Sequence, residues 1–279
     1  MPENLLTSIR EKKAPEAKKK EKPDGFASTS IAYSRDDSGI DARIVTYHSP
    51  KTPISEQYRM IRTNLQRINP ENPPRLIALS SSLHCEGKTT TSVNLAVALA
   101  HDLHKNILLV DCDLRKPNVH NLLGLRMEGG VSDILTRGVE LDAVFKKTKA
   151  ENLTILTSGK IPSNPSELLG SHRMRDLLVE LKNRFDYVIV DTPPVLAITD
   201  TGIIGTLVDG VVIVVQTWRT QREALDKTRS FLSNAHANII GYILTGVEHF
   251  VPGYLSQYGY HYGYGQYHGY YAHSESEEV

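Results

Sequence analysis

Cysteine is scarce. Only Cys85 and Cys112 occur in 279 residues, too few for a disulfide framework or for most all-cysteine metal sites, so a reduced cytosolic compartment is expected. Net charge is missing as well: 32 Lys and Arg balance 32 Asp and Glu, which argues against a nucleic-acid binder working through a broad basic surface. Long apolar runs are also absent. The N-terminal MPENLLTSIREKKAPEAKKK has no apolar core of signal-peptide length, and no stretch approaches about 18 consecutive apolar residues. Neither a standard export signal nor a transmembrane span is expected. What is present is 40% apolar content, enough for the core of one large α/β domain or two small ones.

The two ends differ from the middle. Residues 1–24 carry seven Lys/Arg and five Asp/Glu with few large apolar side chains, and cannot bury enough surface to offset the entropy of ordering. Residues 1–45 are therefore read as a disordered arm. Its KKxxxxKKKxK run is of a kind that meets anionic headgroups, but the interleaved acids make a solvated lysine-rich arm the plainer reading. At the other end, eight of thirteen tyrosines fall within 254–271: Tyr254, Tyr258, Tyr260, Tyr262, Tyr264, Tyr267, Tyr270 and Tyr271. Glycines threaded among them spoil both helix and packed strand, and acidic SESEEV follows. Residues 251–279 read as a flexible tail displaying phenols, leaving a central domain over 46–250.

That centre alternates. Short β-branched runs at 75–80, 106–111, 153–157, 187–191, 210–215 and 239–244 predict strands, and their near-continuous apolarity predicts burial on both faces of a mainly parallel sheet. Helical periodicity is predicted over 88–103, 117–123, 165–183, 199–207 and 220–235, with an extra amphipathic helix over 55–68. The expected class is a three-layer α/β fold, with chemistry at the carboxyl ends of the strands.

The first strand runs into Ser82-Leu83-His84-Cys85-Glu86-Gly87-Lys88-Thr89-Thr90. This matches the G-x-x-x-x-G-K-[ST] phosphate loop at Gly87, Lys88 and Thr89, with Ser82 where the first glycine belongs. Backbone N–H groups at a helix N-terminus make an anion nest, Lys88 can reach terminal phosphates and the Thr89 hydroxyl can ligate Mg²⁺. His84 and Cys85, without further ligands nearby, read as loop filler rather than a zinc site. The second strand ends in Asp111-Cys112-Asp113, two carboxylates on one side that suit Mg²⁺ and proton transfer, or that cap the next helix. YVIVDTPP ends the fourth strand on Asp191, the Walker B pattern. Glu56, Arg59 and Arg62 lie three apart and share a helix face suited to a partner subunit or simply to water.

Together, ILLVDCDLRKP, SNPSELL at 163–169, YVIVDTPP, E-x-x-R-x-x-R-T-N from Glu56 to Asn64 and the tyrosine-rich end resemble the bacterial protein-tyrosine kinases, over about residues 50–271. The resemblance implies a P-loop NTPase fold, ATP and Mg²⁺, and autophosphorylation of the tail tyrosines in trans. It implies Lys88 at the phosphates with Ser82, Glu86, Gly87, Thr89 and Thr90 around them. Thr89, Asp113 and Asp191 would serve the metal, with Lys88, Asp111 and Asp113 catalytic. The helix carrying Glu56, Arg59 and Arg62 would pack against a neighbour in a ring-like homo-oligomer that phosphorylation loosens. Further implied partners are a membrane-embedded polysaccharide co-polymerase as activator and a tyrosine phosphatase, with no nucleic acid. The protein would be cytoplasmic, held at the inner face of the membrane through that partner, and would regulate capsule or exopolysaccharide export. Competing readings are a positioning ATPase of the same fold and a nucleotide-binding scaffold without kinase activity. The ATPase would carry a lysine near the start of the loop, and positions 80–84 read Ser-Ser-Ser-Leu-His. This loop also departs from the family pattern P-G-E-G-K-[ST] in lacking glycine at Cys85, which tightens its backbone demands.

Overall fold

The computed structural model describes residues 38–101 and 105–246. The arm up to residue 37 and the tail, with all eight clustered tyrosines, lie outside the described residues. Elements run in the order α1 (Val45–His48), α2 (Pro53–Arg67), β1 (Leu76–Ser81), α3 (Lys88–Ala100), β2 (Ile107–Asp111), α4 (Val119–Leu122), α5 (Val131–Arg137) and α6 (Leu141–Val144). There follow β3 (Lys146–Lys147), β4 (Leu153–Leu156), α7 (Pro165–Leu169), α8 (His172–Arg184), β5 (Tyr187–Asp191), α9 (Asp200–Gly205), β6 (Gly210–Gln216), α10 (Arg222–Asn234) and β7 (Ile239–Thr245). Seven strands form one sheet in the order β3-β4-β2-β5-β1-β6-β7, parallel throughout except for the β3–β4 pair.

The apolar runs do what their lack of alternation predicts. Leu76 and Ala78 of β1 enter one core with Leu177, Leu178 and Leu181 of α8 and Leu232 of α10. Ile77 and Leu79 enter the other, with Val93, Leu95 and Leu99 of α3. Period-2 geometry sends successive residues to opposite faces, so a strand buried on both sides must be apolar at every step.

Three expectations need correcting. The helix expected over 165–183 is two helices. The first ends at Gly170, and the Ser171 hydroxyl accepts the Met174 N–H at 3.2 Å to start the second. Short helices α1, α5 and α6 and the two-residue strand β3 were not anticipated, each being too short for a periodic signal. Packing also begins before residue 46: Ile40 and Ile44 are buried, and the Asp41 N–H donates to the Leu122 carbonyl at 2.9 Å.

Candidate active site

Between β1 and α3 the chain makes the phosphate loop, and most of its side chains brace it. Glu86 is fully buried; Oε2 accepts the Leu83 N–H at 2.9 Å and Oε1 accepts the Thr220 hydroxyl at 2.6 Å. Its carboxylate is thus engaged by the loop and by the segment ahead of α10. Ser82 is buried too, and its Oγ accepts from Thr228 of α10 at 2.9 Å. Ser82 lies outside the left-handed region, so a Cβ is tolerated where such loops carry their first glycine. Cys85 is different. It is exposed at φ +61°, a conformation that favours glycine. Gly87, at φ +87°, caps α3. The N–H groups of Lys88, Thr89 and Thr90 open a 13-residue helix and have no partner within it, the arrangement that receives phosphate oxygens.

The acidic half of the site comes from neighbouring strands. β2 and β5 pair with Asp111 opposite Asp191, which brings residues eighty apart in sequence to one rung. Lys88 bridges this cluster: its ammonium donates to Asp113 Oδ2 at 3.0 Å, to Asp191 Oδ2 at 3.4 Å and to Thr89 Oγ1 at 3.2 Å. Thr89 Oγ1 donates to Asp191 Oδ2 at 2.8 Å, and Ser92 Oγ to Asp191 Oδ1 at 2.9 Å. Asp111 accepts the Asp113 N–H on Oδ1 and the Asn118 and Val119 N–H groups on Oδ2, each at 3.1 Å. The capping of the following segment, expected as the alternative to a chemical role, is therefore present in this residue. Cys112 faces away and is buried.

Electrostatics follow from burial. Asp111 is pushed up to about 8, first by desolvation and then by the Asp191 charge, against the pull of Lys88. Asp191 is also raised, by desolvation, although Lys88 and the Thr89 hydroxyl oppose the shift. Burial works against the Lys88 ammonium, but Asp191 and Asp113 outweigh it and hold its pKa above the ordinary lysine value. The ammonium sits where Thr89 Oγ1, Asp113 and Asp191 converge, a position suited to a cation. One hydroxyl and two carboxylates are hard oxygen donors that fit Mg²⁺, whose remaining shell usually comes from phosphate and water. Among the described residues no group of three His, Cys, Asp or Glu side chains is placed to hold a metal by itself.

Some contributors escaped the sequence reading. Ser92 stands one helical turn after Lys88, so period alone could have placed it beside the acids. Arg115 donates to Asp200 Oδ2 at 2.9 Å and to Ser166 Oγ at 2.8 Å, and Ser166 donates to Asp200 Oδ1 at 2.6 Å. This ties the loop after Asp113 to α7 and α9. Arg115, inside ILLVDCDLRKP, and Ser166, inside SNPSELL, lay in motifs the sequence offered, whereas Asp200 carried no signal.

The α2 residues are occupied within their own chain. Arg59 pairs with Glu56 and donates to the Pro50 carbonyl at 2.6 Å, while Arg62 donates to the Ala98 carbonyl at 3.2 Å, at the C-terminal end of α3. The tail tyrosines fall outside the described residues.

Residues 74–239 match a family described as an AAA domain. Over 209 residues the chain is 36% identical to the tyrosine-protein kinase YwqD of Bacillus subtilis, covering 75% of this chain and 88% of that protein. The chain belongs to the bacterial tyrosine-protein kinase family. A second member, the putative tyrosine-protein kinase CapB of Staphylococcus aureus, is 32% identical over 72% of this chain and 88% of its own length. The solved kinase domain of the Escherichia coli tyrosine kinase ETK superposes with a TM-score of 0.72 at 31% identity, covering 76% of this chain and 82% of that domain. Membership favours the kinase over the positioning ATPase, and it fits the absence of lysine at 80–84.

Proposed function

We propose that this kinase transfers the γ-phosphoryl group of ATP to tyrosines of its own C-terminal cluster, one copy acting on the tail of another. The observation that carries the reading is the convergence of Lys88, Thr89, Asp113 and Asp191 at a helix-capped phosphate loop. The N–H groups at the start of α3 and the Lys88 ammonium bind the phosphates and offset charge that grows on the γ-oxygens. Thr89, Asp113 and Asp191 hold Mg²⁺, which when bound neutralises phosphate charge. Asp111 accepts the phenolic proton as the tyrosine oxygen bonds to the γ-phosphorus and the bond to the β,γ-bridging oxygen breaks, releasing ADP. Three backbone N–H groups fix the orientation of that carboxylate, and the Val119 N–H and Lys88 favour the ionised form that accepts the proton, against the burial that opposes it.

The same reading makes the chain a regulator of capsule or exopolysaccharide export, activated by a membrane-embedded co-polymerase and reversed by a phosphatase. No helix among the described residues is long and apolar enough to cross a membrane; the proposed placement at the membrane is through such a partner. Oligomer contacts through Glu56, Arg59 and Arg62 would use the remaining guanidinium donors or exchange the present partners. Purified chain incubated with Mg²⁺ and ATP should gain phosphotyrosine mapping to 254–271. A tail that stays unmodified, with ATP still hydrolysed, would return the chain to the ATPase class.

A further inference from the structure

Asp113 and Asp191 sit at the ends of different strands, and one short stretch of chain fastens both ends. Asp200 and Thr201 open α9, and both are fully buried. Thr201 Oγ1 donates to the Pro193 carbonyl, which also accepts the Ser80 hydroxyl of β1 at 2.7 Å. Pro193 lies two residues past Asp191. Asp200 accepts from Arg115, on Oδ2 from Nε at 2.9 Å and on Oδ1 from Nη2 at 3.3 Å. Arg115 lies two residues past Asp113. Ser166 of α7 closes this fork, accepting from Arg115 Nη2 at 2.8 Å and donating to Asp200 Oδ1 at 2.6 Å.

Burial makes the fork rigid. A carboxylate taken wholly out of water is tolerated only with well-aligned donors, and Asp200 has three hydrogen bonds from Arg115 and Ser166. What the fork holds then reaches Asp113 through the backbone. Segment 112–118 is neither helix nor strand, so no ladder of its own fixes it. Within it the N–H of Lys116, next to Arg115, donates to Asp113 Oδ1 at 2.9 Å. With Oδ1 so engaged, Oδ2 is the oxygen turned to the Lys88 ammonium.

We propose that Arg115, Asp200 and Thr201 are positioning residues that set the placement of Asp113 relative to Asp191, and through it the preference of the site for Mg²⁺. At most about 7 Å of chain separates each aspartate from its anchored neighbour, and both anchors meet in the first turn of α9. The cation makes this spacing matter. Mg²⁺ requires near-octahedral oxygens at about 2.1 Å, whereas Ca²⁺ accepts about 2.3–2.6 Å and irregular shells. Loosening the clamp should therefore weaken Mg²⁺ far more than Ca²⁺, a difference that mere loss of stability would not produce.

The proposal rests on the metal role given above to Asp113 and Asp191, and its test needs no phosphotransfer. Binding of a non-hydrolysable ATP analogue to the full chain is measured without divalent cation, with Mg²⁺ and with Ca²⁺. Arg115→Lys keeps the charge but not the planar fork. The tightening produced by Mg²⁺ should shrink about tenfold in this variant and that produced by Ca²⁺ less than about twofold, with affinity in the absence of cation unchanged. Thr201→Val should act in the same direction from the Asp191 side. In an Asp113→Asn background, Arg115→Lys should add little, since it acts through that carboxylate.

Equal losses with both cations, or losses that add in the double variant, overturn the proposal. So does an Arg115→Lys chain as responsive to Mg²⁺ as the natural one. Should Arg115→Lys not fold, Ser166→Ala, which removes one prong of the fork, carries the same comparison. If Asp113→Asn itself leaves the Mg²⁺ response intact, the metal role of Asp113 falls and the proposal with it. A chain that shows the full pattern yet modifies no tyrosine would instead remove the kinase reading alone.

Discussion

The Lys88 ammonium lies 3.0 Å from Oδ2 of Asp113, joining the first turn of α3 to the end of β2. The lysine proposed to bind phosphate is thereby also the counter-ion of the carboxylates proposed to hold metal. On the proposed reading, a shift of the ammonium toward nucleotide would leave Asp113 and Asp191 free to hold Mg²⁺.

Lys88→Met separates these two roles. Phosphotransfer should fall at least a hundredfold, the scale of losing a positioned charge in a transition state. Mg²⁺ alone, however, should bind severalfold tighter, because no ammonium competes for Asp113 and Asp191. Calorimetric titration of the metal without nucleotide reads the second effect; weaker Mg²⁺ binding in the variant would contradict it.

Asp111→Asn and Asp113→Asn should differ in kind. An amide in place of Asp111 leaves one or more of three buried N–H groups without an acceptor, about 1–3 kcal/mol of stability and roughly 3–10 °C in Tm. Its kcat should drop more than its nucleotide affinity. Asp113→Asn should mainly raise the Mg²⁺ concentration needed for half-maximal rate. Matching small effects in both would leave the pair with a capping role alone.

Much of this site was legible because its parts sit at ends of strongly apolar strands. Lys88, Asp111, Asp113 and Asp191 each follow or close a β-branched run, and a parallel sheet gathers such ends. Glu86 and Thr220 were not legible as partners, being 134 residues apart with nothing local to couple them. The same holds for Arg115 and Asp200. The break at Gly170-Ser171 was missed because both halves keep one apolar face.

Cys85 should order its own substitutions. At φ +61° glycine is relieved of strain while a β-branched side chain adds to it. Nucleotide affinity is therefore expected to rank Cys85→Gly above the natural chain, and that above Cys85→Val. Equilibrium binding of an ATP analogue checks the order, and a Val variant as tight as the Gly variant would show that the loop relaxes.

Asp209 supplies a pH test away from the chemistry. Burial would raise its pKa, but the Leu76 N–H, Lys182 and the Arg75 N–H outweigh that and hold it below the usual value of 3.8. A carboxyl depressed in the folded state contributes stability above its unfolded pKa and loses it as pH falls through the folded one. Asp209→Asn should therefore lower Tm at neutral pH, with the gap from the natural chain closing below about pH 4. A gap that persists unchanged at pH 3 would assign the loss to packing instead.

The position of β1 has a consequence for synthesis. Both of its sheet neighbours, β5 and β6, lie downstream, beginning at Tyr187 and Gly210. A chain still on the ribosome thus exposes LIALSS without either flanking strand until most of the protein has been made. Nucleotide cannot template the nascent domain early, since the loop it grips hangs from an unpaired strand. Pairings this distant in sequence are slow to close and leave sticky edges meanwhile. Truncated products ending before Tyr187 should accordingly be chaperone clients and aggregate, whereas release of the finished chain permits folding in one late, cooperative step.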